Sequence, residues 1–498
     1  MLLGIDLGTT AVKVGLFTRR GGPVALSRFP YPLLEPLPLW AEQAPDAWWS
    51  ATVKAIRDVL RRSGVNTGRI AAVGLSGQAP GHVVVDAAGR AIGPAIIWRD
   101  RRASRESAML RRRLSPARAR RLFGYAFSVD PTSPASRLLW LARHRPADLK
   151  AAAAIIQPKD YLGLKLTGVC VSDATSSFGI AHLRRDTYHS ELARLLRVPL
   201  RLLPPLRPPH EISGVVTGEA ARRTGLRAGT PVAVGTIDAW CSFYGAGAVE
   251  DGVAVDVAGT SEVVGIAARR YRNVPGIVGM PLWEDLAFLG GPTQAGGAVL
   301  EWISDLLGLE GGSGAIMDLA GQEPPGADGL IFLPYLAGER APLWDSGARG
   351  VFFGLTFDHG PASLARAALE GVGYTVRHLL ELCEAATGRR VEEVRVCGGA
   401  AVRPWNVIKA DITGKTFVEL AVRETAALGA AMLAGVGSGI FPDLRAAARA
   451  MVRVTGSFPP SRAHHKRYET LYRTYRRLYP RLRPLYPPPD AAARRGLR

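Results

Sequence analysis

The chain has little cysteine. Cys170, Cys241, Cys383 and Cys397 are scattered over 498 positions with no CxxC spacing. This excludes a disulfide framework or a thiolate zinc site and fits a reducing, cytoplasmic setting. No apolar run reaches membrane-spanning length. The first residues go directly into a strand-like stretch, without the charged and apolar regions of a signal peptide. A Walker-type phosphate loop is absent: "GKT" stands at 414–416, but the first glycine of G-x-x-x-x-G-K-[ST] falls on Lys409. Protein-kinase catalytic-loop and H-E-x-x-H patterns are missing, and "GLSGQ" from Gly74 lacks the last glycine of a nucleophile elbow. Acidic residues are outnumbered 43 to 63, giving a net charge of +20. Two segments supply most of that excess. Residues 99–121 hold ten arginines against Asp100 and Glu106, and 459–498 hold eleven Lys/Arg against Glu469 and Asp490. Both read as solvated basic helix faces, and no nucleic-acid-binding motif accompanies them, so nucleic acid is not an expected partner.

What is present points to a soluble, multidomain α/β protein. Hydrophobic residues make up 47% and charged residues 21%, and 498 residues exceed one ordinary core. Strand-like and helix-like runs alternate. "IAAVGLSG" at 70–77 reads as a buried strand ending in a loop. Before it, "WAEQAPDAWWSATVKAIRDVLRR" has helical periodicity, with Trp48, Trp49, Val53, Ile56 and Leu60 on one face. The Pro-rich 202–214 and the "QEPPGADG" of 322–329 mark surface connections.

One small device occurs twice. "LLGIDLGTTAVKVGLF" at 2–17 and "VAVDVAGTSEVVGIA" at 253–267 share an apolar strand, an aspartate, a Gly-Thr-Thr/Ser turn and a second strand. Duplication accounts for this, as does chance similarity of two hairpins. The main boundary is expected between Asp238 and Val253. It separates a domain over 1–245 from one over 246–485, followed by a disordered basic Pro/Arg tail over 486–498. Glycine lets a ligand approach the main chain closely, and clustered N–H groups at such turns suit phosphate oxygens. A neighbouring aspartate suits magnesium, which prefers oxygen ligands.

These hairpins join nine further blocks in order: "WAEQAPDAWW", "VGLSGQ", "AIIWRDRR", "PKDYLGLKLTG", "VSDATSSFG", "VAVGTIDAW", "FLPYLAGERAPLWDSGARGVFFGLT", "VRVCGGAAVRPWNVIKADITGKTF" and "ETAALGAAMLAG". Together they resemble the FGGY family of carbohydrate kinases, with the xylulose kinases and their paralogues nearest. The resemblance implies a two-lobed actin/Hsp70/sugar-kinase (ribonuclease H-like) α/β fold with a central interdomain cleft. Sugar would bind mainly to the first lobe and ATP to the second, the two Gly-Thr turns closing on one nucleotide. The implied activity is Mg2+- and ATP-dependent phosphorylation of a primary hydroxyl of a ketose, polyol or sugar acid. Alternatives are a catalytically weak sugar- or nucleotide-sensing paralogue and an actin/Hsp70-like ATPase. The implied partner is a small-molecule sugar or polyol, with a homodimer possible and no membrane.

The resemblance also assigns residues. Asp238, otherwise readable as a helix N-cap, matches the catalytic base. Asp6 matches the aspartate that coordinates magnesium and phosphate. Gly8, Thr9, Thr10, Gly259, Thr260 and Ser261 would donate to the phosphates. Lys13 either adds positive charge there or faces outward from its strand. Gly398, Gly399 and Ala400 would lie against adenine, with Asn406 at its edge. Gly296 and Gly297 either line the nucleotide site or serve helix packing. At the sugar loop the chain departs from the family: the usual Met-His pair after Ser-Gly-Gln is replaced by Ala79 and Pro80, beside Gln78. His82, two places late, reads either as a surface histidine or as a displaced substitute. Asp100 and Arg101 either border this pocket or form a structural ion pair.

Overall fold

The computed structural model describes residues 1–125 and 129–486. They form two compact units: Met1–Gly247 with Glu424–Val452, and Ala248–Arg423 with Arg453–Arg498. Residues 424–452, expected in the second lobe, therefore belong to the first unit. The tail expected to be disordered over 486–498 lies, from residue 487 onward, outside the described residues.

The first unit is built on a seven-stranded sheet. Its order is Ile212–Val215, Pro231–Ala233, Ala72–Gly77, Leu2–Leu7, Ala11–Phe17 and Pro23–Pro30, with Thr236–Ile237 also pairing with Ala72–Gly77. Leu2–Leu7 runs antiparallel to Ala11–Phe17 and parallel to Ala72–Gly77. All six residues of each of those two parallel strands are buried, as in strands covered on both faces. The helix Pro45–Ser63 contributes Trp48, Ala55, Ile56 and Val59 to the core containing Leu3, Ile5, Val12, Val14, Val73 and Leu75. Proline opens this helix and left-handed Gly64 ends it.

The helix Thr425–Gly437 reaches the same sheet through glycines. A Cβ at Gly4 would stand 1.8 Å from the Ala427 carbonyl oxygen, and one at Gly74 1.8 Å from that of Ala430. Contact with the helix Asp238–Gly245 is equally close: a Cβ at Gly429 would meet the Cys241 oxygen at 1.9 Å. This small-residue packing draws 424–452 out of the unit that precedes it in sequence.

The second unit repeats the hairpin-plus-parallel-strand arrangement. Its seven-stranded sheet runs Val278–Trp283, Leu286–Pro292, Glu262–Ala268, Ala254–Ala258, Glu393–Cys397, Thr416–Leu420 and Val454–Phe458. Ala254–Ala258 is antiparallel to Glu262–Ala268 and parallel to Glu393–Cys397. Two helices explain where the basic C-terminal charge goes. Arg462–Leu482 buries Tyr468, Tyr472, Tyr475 and Leu478, while Arg473, at 77% side-chain exposure, faces solvent. Beneath it, in Pro361–Thr387, Arg366 and the Tyr468 hydroxyl both donate to Glu370. The other basic segment also forms helices, Ser104–Arg113 and Pro116–Phe123. Arg118 and Arg121 there pair with Glu191.

Candidate active site

In the first unit the 8–10 turn is held by its carbonyls. The Tyr31 hydroxyl donates to the Gly8 oxygen, Gln43 Nε2 to that of Thr9 at 2.6 Å, and the Tyr31 N–H to that of Thr10 at 3.2 Å. Trp98 Nε1 donates to Thr9 Oγ1 at 2.8 Å. The Gly8 N–H closes the turn onto Ala11. Among the described residues, the Thr9 and Thr10 N–H groups make no hydrogen bond. With three consecutive carbonyls engaged, the turn presents donors only, which is the arrangement an anion requires.

Beside this turn the ends of three strands bring two carboxylates together. Asp6 pairs in register with Ser76 on the parallel strand, and Ser76 pairs in turn with Thr236. Ser76 Oγ donates to Asp6 Oδ1 at 2.9 Å. Asp238 follows two residues after Thr236, as the first residue of Asp238–Gly245. Its Oδ1 accepts from the Ala239 N–H at 2.7 Å. Burial raises the Asp238 carboxyl to about 7, and the nearby Asp6 adds to the rise. Burial also raises Asp6, against the opposing charge of Lys13. Lys13 faces Asp6 across the antiparallel register and pairs with Glu424 at 2.6 Å, both side chains about 30% exposed. It thus faces partly outward and still tempers the Asp6 charge.

The strand end carrying Asp238 is braced by a buried ion cluster. Lys159 pairs with Asp160 at 2.6 Å and Asp173 at 3.1 Å, and donates to the Val234 carbonyl at 3.2 Å. Thr236 Oγ1 donates to Asp173 Oδ2 at 2.7 Å. These contacts fix the backbone immediately before the base candidate.

Gln78 adjoins the turn through Gln43. Its Nε2 donates to Gln43 Oε1 at 2.7 Å, and Gln43 Oε1 also accepts from Trp48 Nε1. Gln78 is 2% exposed, and its Oε1 has no partner among the described residues. Ala79 and Pro80 are joined by a cis peptide. Arg137 donates to the Pro80 carbonyl at 3.0 Å and to that of Ile97. His82 is not a surface residue. It is 1% exposed, bridged to Ile96 and bonded through Nε2 to the Pro134 carbonyl. Burial pushes its pKa well below the ordinary value. The side chain is therefore neutral. Asp100 is a structural ion pair, with Arg102 as partner in place of Arg101. Arg102 also pairs with Glu42 and lies 3.5 Å above the Trp40 ring.

In the second unit the 259–261 turn is seated on the start of the helix Gly297–Leu306. The Gly297 and Ala298 N–H groups donate to the carbonyls of Gly259 and Thr260, at 2.8 and 3.0 Å. Among the described residues, the Thr260 and Ser261 N–H groups make no hydrogen bond. Close approach requires the glycines here. A Cβ at Gly296 would lie 2.7 Å from the Ser261 backbone, and one at Gly398, at φ +94°, 2.3 Å from the Ala258 oxygen. Gly296 and Gly297 thus pack the turn itself. Ala400 N donates to the same Ala258 oxygen, so the 398–400 loop is tied to the turn, with Gly399 exposed. Asn406 is buried. It is 1% exposed within Arg403–Thr413, and neither amide atom has a partner among the described residues. Below the turn, Lys409 pairs with Asp256 at 2.8 Å and Glu262 at 3.0 Å, all fully buried.

Both halves of the chain match known sequence patterns. Residues 1–245 match the N-terminal domain of the FGGY family of carbohydrate kinases, and 254–438 its C-terminal domain. The chain belongs to the FGGY family of carbohydrate kinases. Xylulose kinase of Escherichia coli is 33% identical over 445 residues, covering 88% of this chain and 90% of the relative. Gluconate kinase of Lactobacillus acidophilus superposes with a TM-score of 0.85 at 26% identity, covering 96% and 97%. Ligand-bound xylulose kinase of the same organism gives 0.87 at 26% identity, covering 97% and 98%.

This FGGY kinase is therefore an ATP-dependent phosphotransferase with an alcohol group as acceptor, and carbohydrate kinases of this family use ATP with Mg2+. The residues fit both. Two donor-only turns suit phosphates, and the buried Asp6 carboxylate suits a hard divalent cation. Among the described residues, no cluster of three or more potential metal ligands occurs. Mg2+ here would thus complete its shell with phosphate oxygens and water, as it commonly does. No helix among the described residues is long and apolar enough to cross a membrane. Sequence reading missed Tyr31, Gln43 and Trp98. Gln43 and Trp98 stood inside the quoted blocks "WAEQAPDAWW" and "AIIWRDRR", but nothing local marked their side chains as turn supports.

Proposed function

We propose that this kinase phosphorylates a primary hydroxyl of a small ketose, polyol or sugar acid, with Asp238 as the base. The observation that carries this reading is the place of Asp238, which opens the helix Asp238–Gly245 directly after the strand end that pairs with Ser76, the residue bonded to Asp6; burial there raises its carboxyl to about 7. An ordinary carboxylate is too weak a base to take an alcohol proton efficiently, whereas one near the working pH is suited to it. Relatives named for xylulose and for gluconate support the acceptor class, a ketose or an aldonate.

The acceptor hydroxyl donates a hydrogen bond to Asp238, which aims its oxygen at the terminal phosphorus of ATP. As the new O–P bond forms and the bond to the bridging oxygen breaks, the hydroxyl proton passes to Asp238 and ADP leaves. The N–H groups of 8–10 and 259–261 hold phosphate oxygens, and the backbone of Gly398, Gly399 and Ala400 lies against adenine. Asp6 would hold Mg2+, which when bound would supply neutralisation of phosphate charge. Gln78 offers its unpartnered Oε1 to an acceptor hydroxyl. The Ala79–Pro80 segment brings no imidazole, so a hydroxyl read by histidine in a Met-His pocket is not read the same way here.

ADP release over a panel of ketoses, polyols and sugar acids tests the reading. One or more acceptors should stimulate turnover, and Asp238→Asn should lose at least ~10²-fold of it while still binding nucleotide. Stimulated turnover at the wild-type rate in Asp238→Asn removes Asp238 as base.

A further inference from the structure

We infer that Gln43 is a positioning residue for phosphoryl transfer, joining the acceptor contact Gln78 to the phosphate turn through one amide. The inference rests on the kinase reading above and goes beyond it in naming what orients both groups. Gln43 lies in the two-residue strand Glu42–Gln43 and is fully buried. Its backbone is held on two sides. Glu42 exchanges hydrogen bonds with Leu34, at 2.8 and 2.9 Å, and Gln43 pairs in register with Ala95. From there the side chain reaches Thr9, Trp48 and Gln78.

The partners dictate how this amide is turned. A backbone carbonyl only accepts, and an indole N–H only donates. Thr9 offers its carbonyl, so the Gln43 NH2 group faces it, at 2.6 Å. Trp48 Nε1 donates, so the Gln43 oxygen faces that group, at 3.1 Å. The reversed amide would set donor against donor at Trp48 and oxygen against oxygen at Thr9. This orientation passes on to Gln78. Its Nε2 donates to the same Gln43 oxygen at 2.7 Å, and a reversed Gln78 would press two oxygens together there. Gln78, 2% exposed, therefore keeps Oε1 as its unengaged end, without a partner among the described residues.

A buried amide oxygen without a partner costs free energy, and a ligand hydroxyl that donates to it offsets that cost. A carbonyl or carboxylate oxygen at the same place would be repelled. Gln43 thus makes Gln78 read a hydroxyl of the acceptor, and a sugar acid must place its carboxylate elsewhere. At its other end Gln43 aims a phosphate donor. The Thr9 carbonyl and the Thr10 N–H share one planar peptide and point in opposite directions. Holding that carbonyl therefore fixes the direction of the Thr10 N–H, which makes no hydrogen bond among the described residues.

The test uses the full chain as wild type, Gln43→Glu and Gln43→Met. It measures ATP affinity by calorimetry without acceptor, and the KM of the fastest acceptor in the panel above at saturating ATP. Neither constant depends on how much of a variant is folded, so a merely structural residue moves neither. Gln43→Glu keeps an oxygen for Trp48 and Gln78 but sets a second oxygen against the Thr9 carbonyl. ATP should bind it ~10-fold more weakly, the scale of one buried polar group left unpaired. Its acceptor KM should stay within ~2-fold of wild type, because the Gln78 contact is kept. Gln43→Met offers neither group, so the acceptor KM should rise by ~10-fold as well. Should the methionine variant melt early, the glutamate variant decides alone, by the split between ATP and acceptor. Unchanged ATP affinity in Gln43→Glu, or an acceptor KM that rises in it as far as ATP affinity falls, overturns the inference. So does an unchanged acceptor KM in Gln43→Met. A wild-type chain that no acceptor in the panel stimulates refutes the kinase reading instead, a result separate from any difference among the variants.

Discussion

If Asp238 is ionised only at a cost, replacing it should stabilise the first unit at high pH. The carboxyl titrates at about 7 in the folded chain against 3.8 for the ordinary group. Between those values the folded state holds a proton that the unfolded state has released, so stability falls as pH rises. Above about pH 7 both states are ionised and the full cost remains. At 1.36 kcal/mol per unit, the loss between pH 5 and pH 8 is about 2–3 kcal/mol, a figure solvent screening lowers because Asp238 is half-buried. Asp238→Asn has no such titration. Urea unfolding of both chains at pH 5, 6.5 and 8, read on the transition of the first unit, should show the variant gaining on wild type as pH rises. The gain should follow a midpoint near 7. Other titrating groups, Asp6 included, are present in both chains and largely cancel in the difference. A gap that stays constant within ~0.5 kcal/mol across this range refutes the reasoning. Asp238 would then be an ordinary carboxylate, and its fitness as a base would lose its physical support.

Two further outcomes concern the frames that hold the site. Gly74→Ala places a Cβ 1.8 Å from the Ala430 oxygen, so the Thr425–Gly437 helix must retreat by roughly 1.5 Å or more to reach ordinary contact. Destabilisation of about 1–3 kcal/mol is expected, and a melting temperature equal to wild type shows that the close approach is not real. Lys409→Met leaves Asp256 and Glu262 buried without their cation. A loss of about 3 kcal/mol is expected in the second unit, larger at pH 9 than at pH 6 because Glu262, whose pKa burial raises, is then pressed to ionise. Equal unfolding profiles at pH 9 contradict a paired Lys409.

The two Gly-Thr hairpins, the buried strand Ala72–Gly77 and the helix Pro45–Ser63 were legible because each rests on local pattern: alternation, helical spacing, and glycine where the chain turns. Asp6 and Asp238 were legible for the same reason, as acidic residues at strand ends. Residues 424–452, expected with the second lobe, group with the first unit by contact, which was not legible because "ETAALGAAMLAG" is apolar nearly all round. Such a helix names no partner, and only the glycines on the opposing strands select one. His82 was misread because a histidine's burial depends on what covers it, here the carbonyl of Pro134.

By itself the sequence determined an α/β chain with two Gly-Thr turns and an aspartate near the end of each of two strand runs, since these follow from neighbours a few residues apart. Tertiary structure alone decided what those parts are worth. Tyr31 and Gln43 come from elsewhere in the chain to occupy the turn carbonyls, while the Thr9 and Thr10 N–H groups make no hydrogen bond among the described residues. Asp238 owes its basicity to burial and to a second carboxylate on another strand. Gln78 stands beside Gln43 although 35 positions separate them. Desolvation and Coulomb interaction act through space, and no reading along the chain measures that distance.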